Sequence, residues 1–355
     1  MKIFHCDHCD HVAFFENVQC VKCGHTLAYL PDLGVVGSLD LDPETKTWKS
    51  PLQRAAGKEY RLCRNYTDQN VCNWAVPADS KQEFCQSCQL TRAIPDLSRV
   101  ERHQAWYKLE VAKRRLVYTI LGLELTTDGL VFEFLADPDD PEAPRVLTGH
   151  ADGLITVNID EADDVVREQR RTQMREPYRT LLGHMRHESG HFYFDKLIAP
   201  NPEQLERFRG VFGDERADYG EAVKKHYDTG APANWPDNFV SAYATMHPWE
   251  DWAETWAHYL HMVDALETAS ACGLSLQPRR KDEPSVKKVP DPVKEESTKF
   301  AKMMDGWFPL TYALNNLNRG LGLADAYPFV LSTPAVNKLR FIHEVTTTSL
   351  PAPRE

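Results

Sequence analysis

The sequence predicts an α+β protein, with a cysteine-rich module at the N-terminus followed by a domain of a small sheet and an active-site helix. Three observations carry this. Eight of the nine cysteines fall in the first quarter of the 355-residue chain, as two sets of four. Strand-like segments cluster between about 130 and 160. From about 161 onward the apolar spacing is helical and surrounds the string His187-Glu188-Ser189-Gly190-His191.

Residues 1–95 are turn-rich and short of helical periodicity, so their core is small and metal is the expected compensation. Cys6-x2-Cys9 and Cys20-x2-Cys23 form two knuckles ten residues apart, and Gly24 suits a tight turn after the second. This spacing reads as a zinc ribbon. Cys63, Cys72, Cys85 and Cys88 form a looser C-x8-C-x12-C-x2-C set, read as a second tetrathiolate site. Cys6 comes before any apolar export signal could form, and clustered thiols without export favour metal over disulfides. Cys272 stands alone.

Residues 99–121 read as a helix through Trp106, Leu109, Leu116, Val117 and Ile120. Leu130–Leu135 reads as a strand and 136–145 as a loop. Val146–Thr148 and Leu154–Ile159 read as strands flanking a turn at His150–Gly153, the second a candidate edge for an extended peptide. Helices are expected over Tyr178–Phe194, Pro248–Thr268 and about Phe300–Asn316. The stretch of about 277–299 is polar and charged, an exposed insertion. The domain division is therefore 1–95 and 96–355.

Net charge is −11. Residues 51–100 hold seven Lys/Arg against five Asp/Glu, which makes no phosphate track. Nucleic acid is not the expected partner, and a protein docked through the ribbons is. No apolar run approaches the ~20 residues of a membrane helix. A cytoplasmic location follows as an expectation.

On a helix, His187 and His191 are one turn apart and face one side, where they can hold a zinc ion. Glu188 lies beside the first ligand, placed as a general base for a water that zinc acidifies towards ~7. The flanking Leu181, Leu182, Met185, Phe192 and Phe194 bury this helix, so the polar residues on it need partners. Gly190 costs about 1 kcal/mol relative to Ala in a helix. A close approach by another backbone or by substrate would explain it.

The later segment His247-Pro248-Trp249-Glu250-Asp251-Trp252-Ala253-Glu254 starts a helix at Pro248 and sets Glu250 and Glu254 one turn apart among tryptophans. A metal with its histidines would be a fitting partner for either carboxylate. Asp218, His258 and His261 stand next in line as a third ligand. Tyr243 and His247 lead the candidates for stabilising an oxyanion, ahead of Tyr259 and His258.

The chain resembles a bacterial family of zinc-binding metallopeptidases with an N-terminal zinc-ribbon domain, over nearly its whole length. The resemblance rests on the eight cysteines, Thr148-Gly149-His150, Asn158–Asp164, Tyr178–His184, His187–His191 and His247–Asp251. Asn315-x-x-Asn318-Arg319 and Tyr327-Pro328-Phe329 extend it. It implies a zincin-like domain acting on peptides. The pattern is also similar to that of gluzincins, where Glu-x-x-Ser/Ala-Asp/Glu on a later helix supplies the third ligand. That likeness gives Glu250 to the metal and leaves Glu254 to hold the free ring N–H of a ligating histidine. The expected metal load is three zinc ions, two structural and one catalytic. The rival expectation is a binding or scaffold protein that keeps metal without turnover. The intact Glu188 argues against it, because a non-catalytic site needs no base.

Overall fold

A computed structural model describes residues 2–140, 142–173, 179–294 and 299–348. The chain forms two compact units. One comprises Met1–Tyr118, Gly129–Thr148 and Thr156–Arg167, and the other Thr119–Asp128, Gly149–Ile155 and Glu168–Glu355.

The first unit begins with a hairpin of β1 (Phe4–His5) and β2 (Val12–Ala13). An antiparallel sheet follows, built from β3 (Thr26–Leu30), β4 (Val35–Leu41), β5 (Trp48–Lys49), β6 (Tyr60–Leu62) and, after the one-turn α1 (Arg64–Thr67), β7 (Ala75–Pro77). The order is sequential, from β3 to β7. Gly34, with φ of 64°, makes the β3–β4 turn that a side chain would strain. Ala28, Leu30, Leu39, Ala55, Tyr60 and Ala75 form a small core on this sheet. A second knot packs Phe15 against Tyr29, Trp74 and Tyr118, with ring centroids 5.3, 6.4 and 5.2 Å apart.

Next come β8 (Thr91–Ala93), α2 (Val100–Gly122) and β9 (Val131–Leu135), with β8 and β9 paired in parallel. The expected helix and strand are therefore present within a residue at either end. β10 (Gly149–Ala151) and β11 (Leu154–Asn158) close on Asp152-Gly153, both at positive φ, 49° and 84°. An Asp-Gly pair favours such a tight hairpin.

Two corrections arise here. Residues 146–148 are not a strand, because side chains engage their polar groups. Asp137 accepts from Val146 N, Asn158 Nδ2 donates to Val146 O, and Thr148 Oγ1 accepts from Asn158 N. β11 has strand neighbours on both sides, so the edge strands of this sheet are β10 and β8.

Among the described residues seven helices follow, α3 (Asp164–Gln173), α4 (Leu181–Leu197), α5 (Pro202–Phe212), α6 (Tyr219–Thr229), α7 (Pro248–Ala271), α8 (Phe300–Gly320) and α9 (Thr333–Thr348), of which the sequence reading expects α4, α7 and α8 but not α3, α5, α6 or α9. Tyr178 lies outside the described residues, and Thr180 caps α4 by accepting from Gly183 N at 3.0 Å. Trp252 of α7 packs among Phe208, Phe212 and Phe341, with centroids 5.8 to 6.2 Å away. The insertion is not exposed throughout, since Val289, Pro290 and Asp291 are buried. A Cβ on Gly306 would lie 2.6 Å from Pro290 Cδ, so this segment is seated directly on α8. No helix among the described residues is long and apolar enough to cross a membrane.

Candidate metal centres

Three groups of side chains converge as metal ligands do. The sulfurs of Cys6, Cys9, Cys20 and Cys23 lie within 4.8 Å of one another, and so do those of Cys63, Cys72, Cys85 and Cys88. The Cys6–Cys23 and Cys9–Cys20 separations are both 3.6 Å, and Cys72–Cys85 is 3.7 Å. Tetrahedral zinc with sulfur at ≈ 2.3 Å sets its ligands about 3.8 Å apart. All nine cysteines are free of disulfides. Asp10 and Gly24 occupy matching left-handed positions just after each knuckle, with φ of 57° and 76°. Their amides donate to Cys6 O and Cys20 O. The glycine signal was visible in the sequence, while its Asp10 counterpart was not, because aspartate tolerates this conformation without requiring it.

The third group joins α4 to α7. Glu250 Oε2 lies 3.0 Å from His187 Nε2, and Oε1 lies 3.5 Å from His191 Nε2. Ligands on a tetrahedral zinc with nitrogen at ≈ 2.0–2.1 Å stand about 3.3 Å apart. All three side chains are largely buried. Two features fit them to a cation. Glu250 Oε2 is buried and accepts no hydrogen bond. His187 Nδ1 is bonded to Glu254 Oε1 at 2.7 Å, so a neutral ring that donates there turns its Nε2 lone pair towards Glu250. A carboxylate facing a ring nitrogen across 3.0 Å calls for a positive charge between them, which a proton on His187 or a metal ion can supply.

The tryptophans of α7 fix this geometry. Trp252 Nε1 donates to Gly190 O at 2.7 Å and Trp256 Nε1 to Ser189 Oγ at 3.1 Å, each one residue from the next on the metal helix. Ser241 Oγ donates to Glu254 Oε2 at 2.6 Å, completing a chain of serine, carboxylate and imidazole.

Glu188 is buried beside this group, and its Oε1 lies 3.2 Å from His184 Nε2. Burial pushes its carboxyl up, but the His184, His187 and His191 rings outweigh that and hold it down to about 2. Burial likewise raises Glu250, and the His187 and His191 imidazoles bring it well below the usual carboxylate range. Both side chains are therefore ionised at neutral pH.

The structure places the remaining sequence candidates as follows. The Tyr243 ring stands 5.8 Å from that of His187, and burial pushes its phenol far up. His247 is turned away from an oxyanion role, because both ring nitrogens are engaged. Nδ1 accepts from Trp249 N at 3.1 Å as the cap of α7, and Nε2 donates to Ala217 O at 3.0 Å. Asp218 caps α6, His258 Nδ1 meets Tyr327 Oη at 2.6 Å, His261 Nδ1 meets Arg186, and Tyr259 Oη meets His343 at 3.1 Å.

Three site residues escaped the sequence reading, Ser241 among them. Tyr219 donates to Glu250 Oε1 at 2.9 Å. His150, on β10, stacks on His191 with centroids 6.0 Å apart and accepts from Gly153 N. Thr148-Gly149-His150 stood among the resembling motifs, and that was the only signal for His150.

Comparison with known proteins places two regions of the chain in described families. Residues 102–345 match the model of a family described as "Putative zinc-binding metallo-peptidase", and residues 3–99 match a zinc-ribbon domain. Uncharacterized proteins of Mycobacterium bovis and of two Mycobacterium tuberculosis strains are each 41% identical over 353 residues, spanning 97% of this chain and 95% of theirs. No solved structure matches the chain. The chain belongs to the family of zinc-binding metallo-peptidases so described, and carries a zinc-ribbon domain at its N-terminus.

Proposed function

We propose that the protein is a zinc-dependent peptidase of the zincin type and gluzincin-like in its ligand set. His187, His191 and Glu250 would hold the ion, with Glu188 as general base. The observation that carries this is the convergence of three ligand atoms on one point, with an ionised carboxylate beside them that is not itself a ligand. The donor set suits zinc, which takes nitrogen and carboxylate oxygen together. When bound, zinc would supply an acidified water and a polarising charge for a carbonyl.

The residues then divide the work. Glu188 takes the proton from the attacking water and passes it to the leaving amine. His184 holds the Glu188 carboxylate in place. Glu254 accepts the Nδ1 proton of His187, so that Nε2 faces the ion, and Ser241 anchors Glu254. Tyr243, beside His187, is the phenol available to a developing oxyanion. The free edge of β10, which carries His150 next to His191, offers backbone groups to an extended peptide. The two cysteine sets would hold two structural zinc ions and serve as a docking surface for a protein partner. A cytoplasmic location is part of the same reading, because these thiols need a reducing compartment.

The test is a broad peptide-library digestion with the purified chain, with and without chelator, using Glu188→Gln as the inactive control. Cleavage that chelator abolishes and the variant lacks supports the reading. Cleavage that survives both, or none under any zinc load, overturns it.

A further inference from the structure

We propose that Tyr219 confines Glu250 to a single metal-facing oxygen and so keeps a coordination position open for water or substrate. This rests on the reading of the site given above.

The two oxygens of Glu250 have different surroundings. Oε1 accepts the Tyr219 hydroxyl at 2.9 Å. Oε2 is buried, accepts no hydrogen bond and lies 3.0 Å from His187 Nε2. Oε1 is also only 3.5 Å from His191 Nε2, close enough to reach the same ion if it were unengaged. A carboxylate can bind a metal through one oxygen or both, and a ligating carboxylate is commonly steadied by a hydrogen bond to the other. Here the phenol takes that bond.

The placement of Tyr219 is built by neighbours that the sequence sets around it. Asp218 caps α6 by accepting from Glu221 N at 2.9 Å, which makes Tyr219 the first helical residue. His247 caps α7 and also donates to Ala217 O, two residues before Tyr219. One imidazole thereby ties the start of α6 to the start of α7. The Tyr219 ring packs edge-on against His247, with centroids 5.3 Å apart, and tilted against Trp249 at 6.0 Å. The phenol is held over Glu250 from a fixed base, which gives His247 a positioning role. A hydrolytic zinc site needs three protein ligands and one open position. A second oxygen from Glu250 would fill it.

Cobalt(II) can replace zinc, and its d–d bands report the coordination geometry. The full chain is loaded with cobalt(II), and the spectrum of a His187→Ala/His191→Ala double variant, which retains both cysteine sites, is subtracted. The expected difference spectrum for the wild type shows intense four-coordinate bands. Tyr219→Phe, which removes one oxygen and keeps the ring, should shift them and lower their intensity as Glu250 becomes bidentate. Tyr227→Phe, an exposed tyrosine of the same helix, should match the wild type. A Tyr219→Phe spectrum identical to the wild type, with metal bound in both, overturns the proposal and leaves the site standing. A wild type indistinguishable from the double variant overturns the site, and the proposal with it.

Discussion

A Cβ built on Gly190 would lie 2.8 Å from Ala253 Cα and 3.3 Å from Ala253 Cβ, so α4 and α7 meet backbone to backbone. The glycine stands beside His191, and Ala253 stands between Glu250 and Glu254. The distance between histidines and glutamate is therefore set by the missing side chain. Gly190→Ala should push the helices apart. Overpacking costs typically 1–3 kcal/mol, against roughly 1 kcal/mol regained in helix propensity. Thermal unfolding should show the net loss, and zinc titration should show weakened binding at this site. Unchanged affinity would mean that the contact does not set the ligand spacing.

Glu188→Gln removes a base and not a ligand. The variant should bind as much zinc as the wild type while turnover falls by roughly 10²–10⁴-fold, the range of general acid–base catalysis. Metal analysis alongside the peptide assay checks both halves, and near-normal turnover would refute the role.

Glu250 and Glu254 should differ in what their loss does. Glu250→Ala should empty the site. Glu254→Ala should weaken zinc by roughly 10–100-fold, as loss of a partner to a ligating histidine does. Ser241→Ala removes the hydroxyl bonded to Glu254 and to Ala244 N, leaves Glu254 itself in place and should weaken zinc less. Chelator competition on the three variants gives the order, and a reversed order of the two glutamates exchanges their roles.

Metal analysis of protein purified without chelators should return about three zinc ions per chain, two of them on thiolates. Cys85→Ser should lower that by one and make the region around the second cysteine set protease-sensitive, because binding energy there is folding energy. Equal protease resistance in variant and wild type would remove its structural role.

Acid should destabilise the protein through His258. Burial lowers its pKa to about 4 from the ordinary 6.5, with the Glu254 charge opposing only in part. The neutral ring is the folded form, so its contribution is full above 6.5 and is lost as pH falls from there towards 4. One proton over that window corresponds to about 3 kcal/mol. Denaturant midpoints of wild type and His258→Gln, followed from pH 7 to 4, should show a shallower decline in the variant. Parallel declines would mean that other groups carry the acid sensitivity.

The helices that bear the proposed ligands were legible, because H-E-x-x-H fixes a face at period 3.6 and Pro248 marks where α7 starts. What the sequence hid depends on residues far apart in the chain. Tyr219 reaches Glu250 from a helix of its own, and no spacing rule links positions 31 residues apart. The ladder expected at Val146–Thr148 gave way to side chains from Asp137 and Asn158, a competition that a strand propensity does not contain. His247 read as chemistry because a histidine beside acidic residues usually does, yet its two bonds make it a cap and a strut. The burial of Val289–Asp291 was masked by the lysines around it.

The indoles that clamp the metal helix also make the site visible. Trp252 and Trp256 are fully buried and bonded to Gly190 and Ser189, within a turn of both histidines. Their emission should be blue-shifted, and a coloured ion at the histidines would quench it by energy transfer over a few ångströms. With zinc already on both cysteine sets, so that Trp74 beside Cys72 stays unquenched, loading of this centre could then be followed by light alone, without labels.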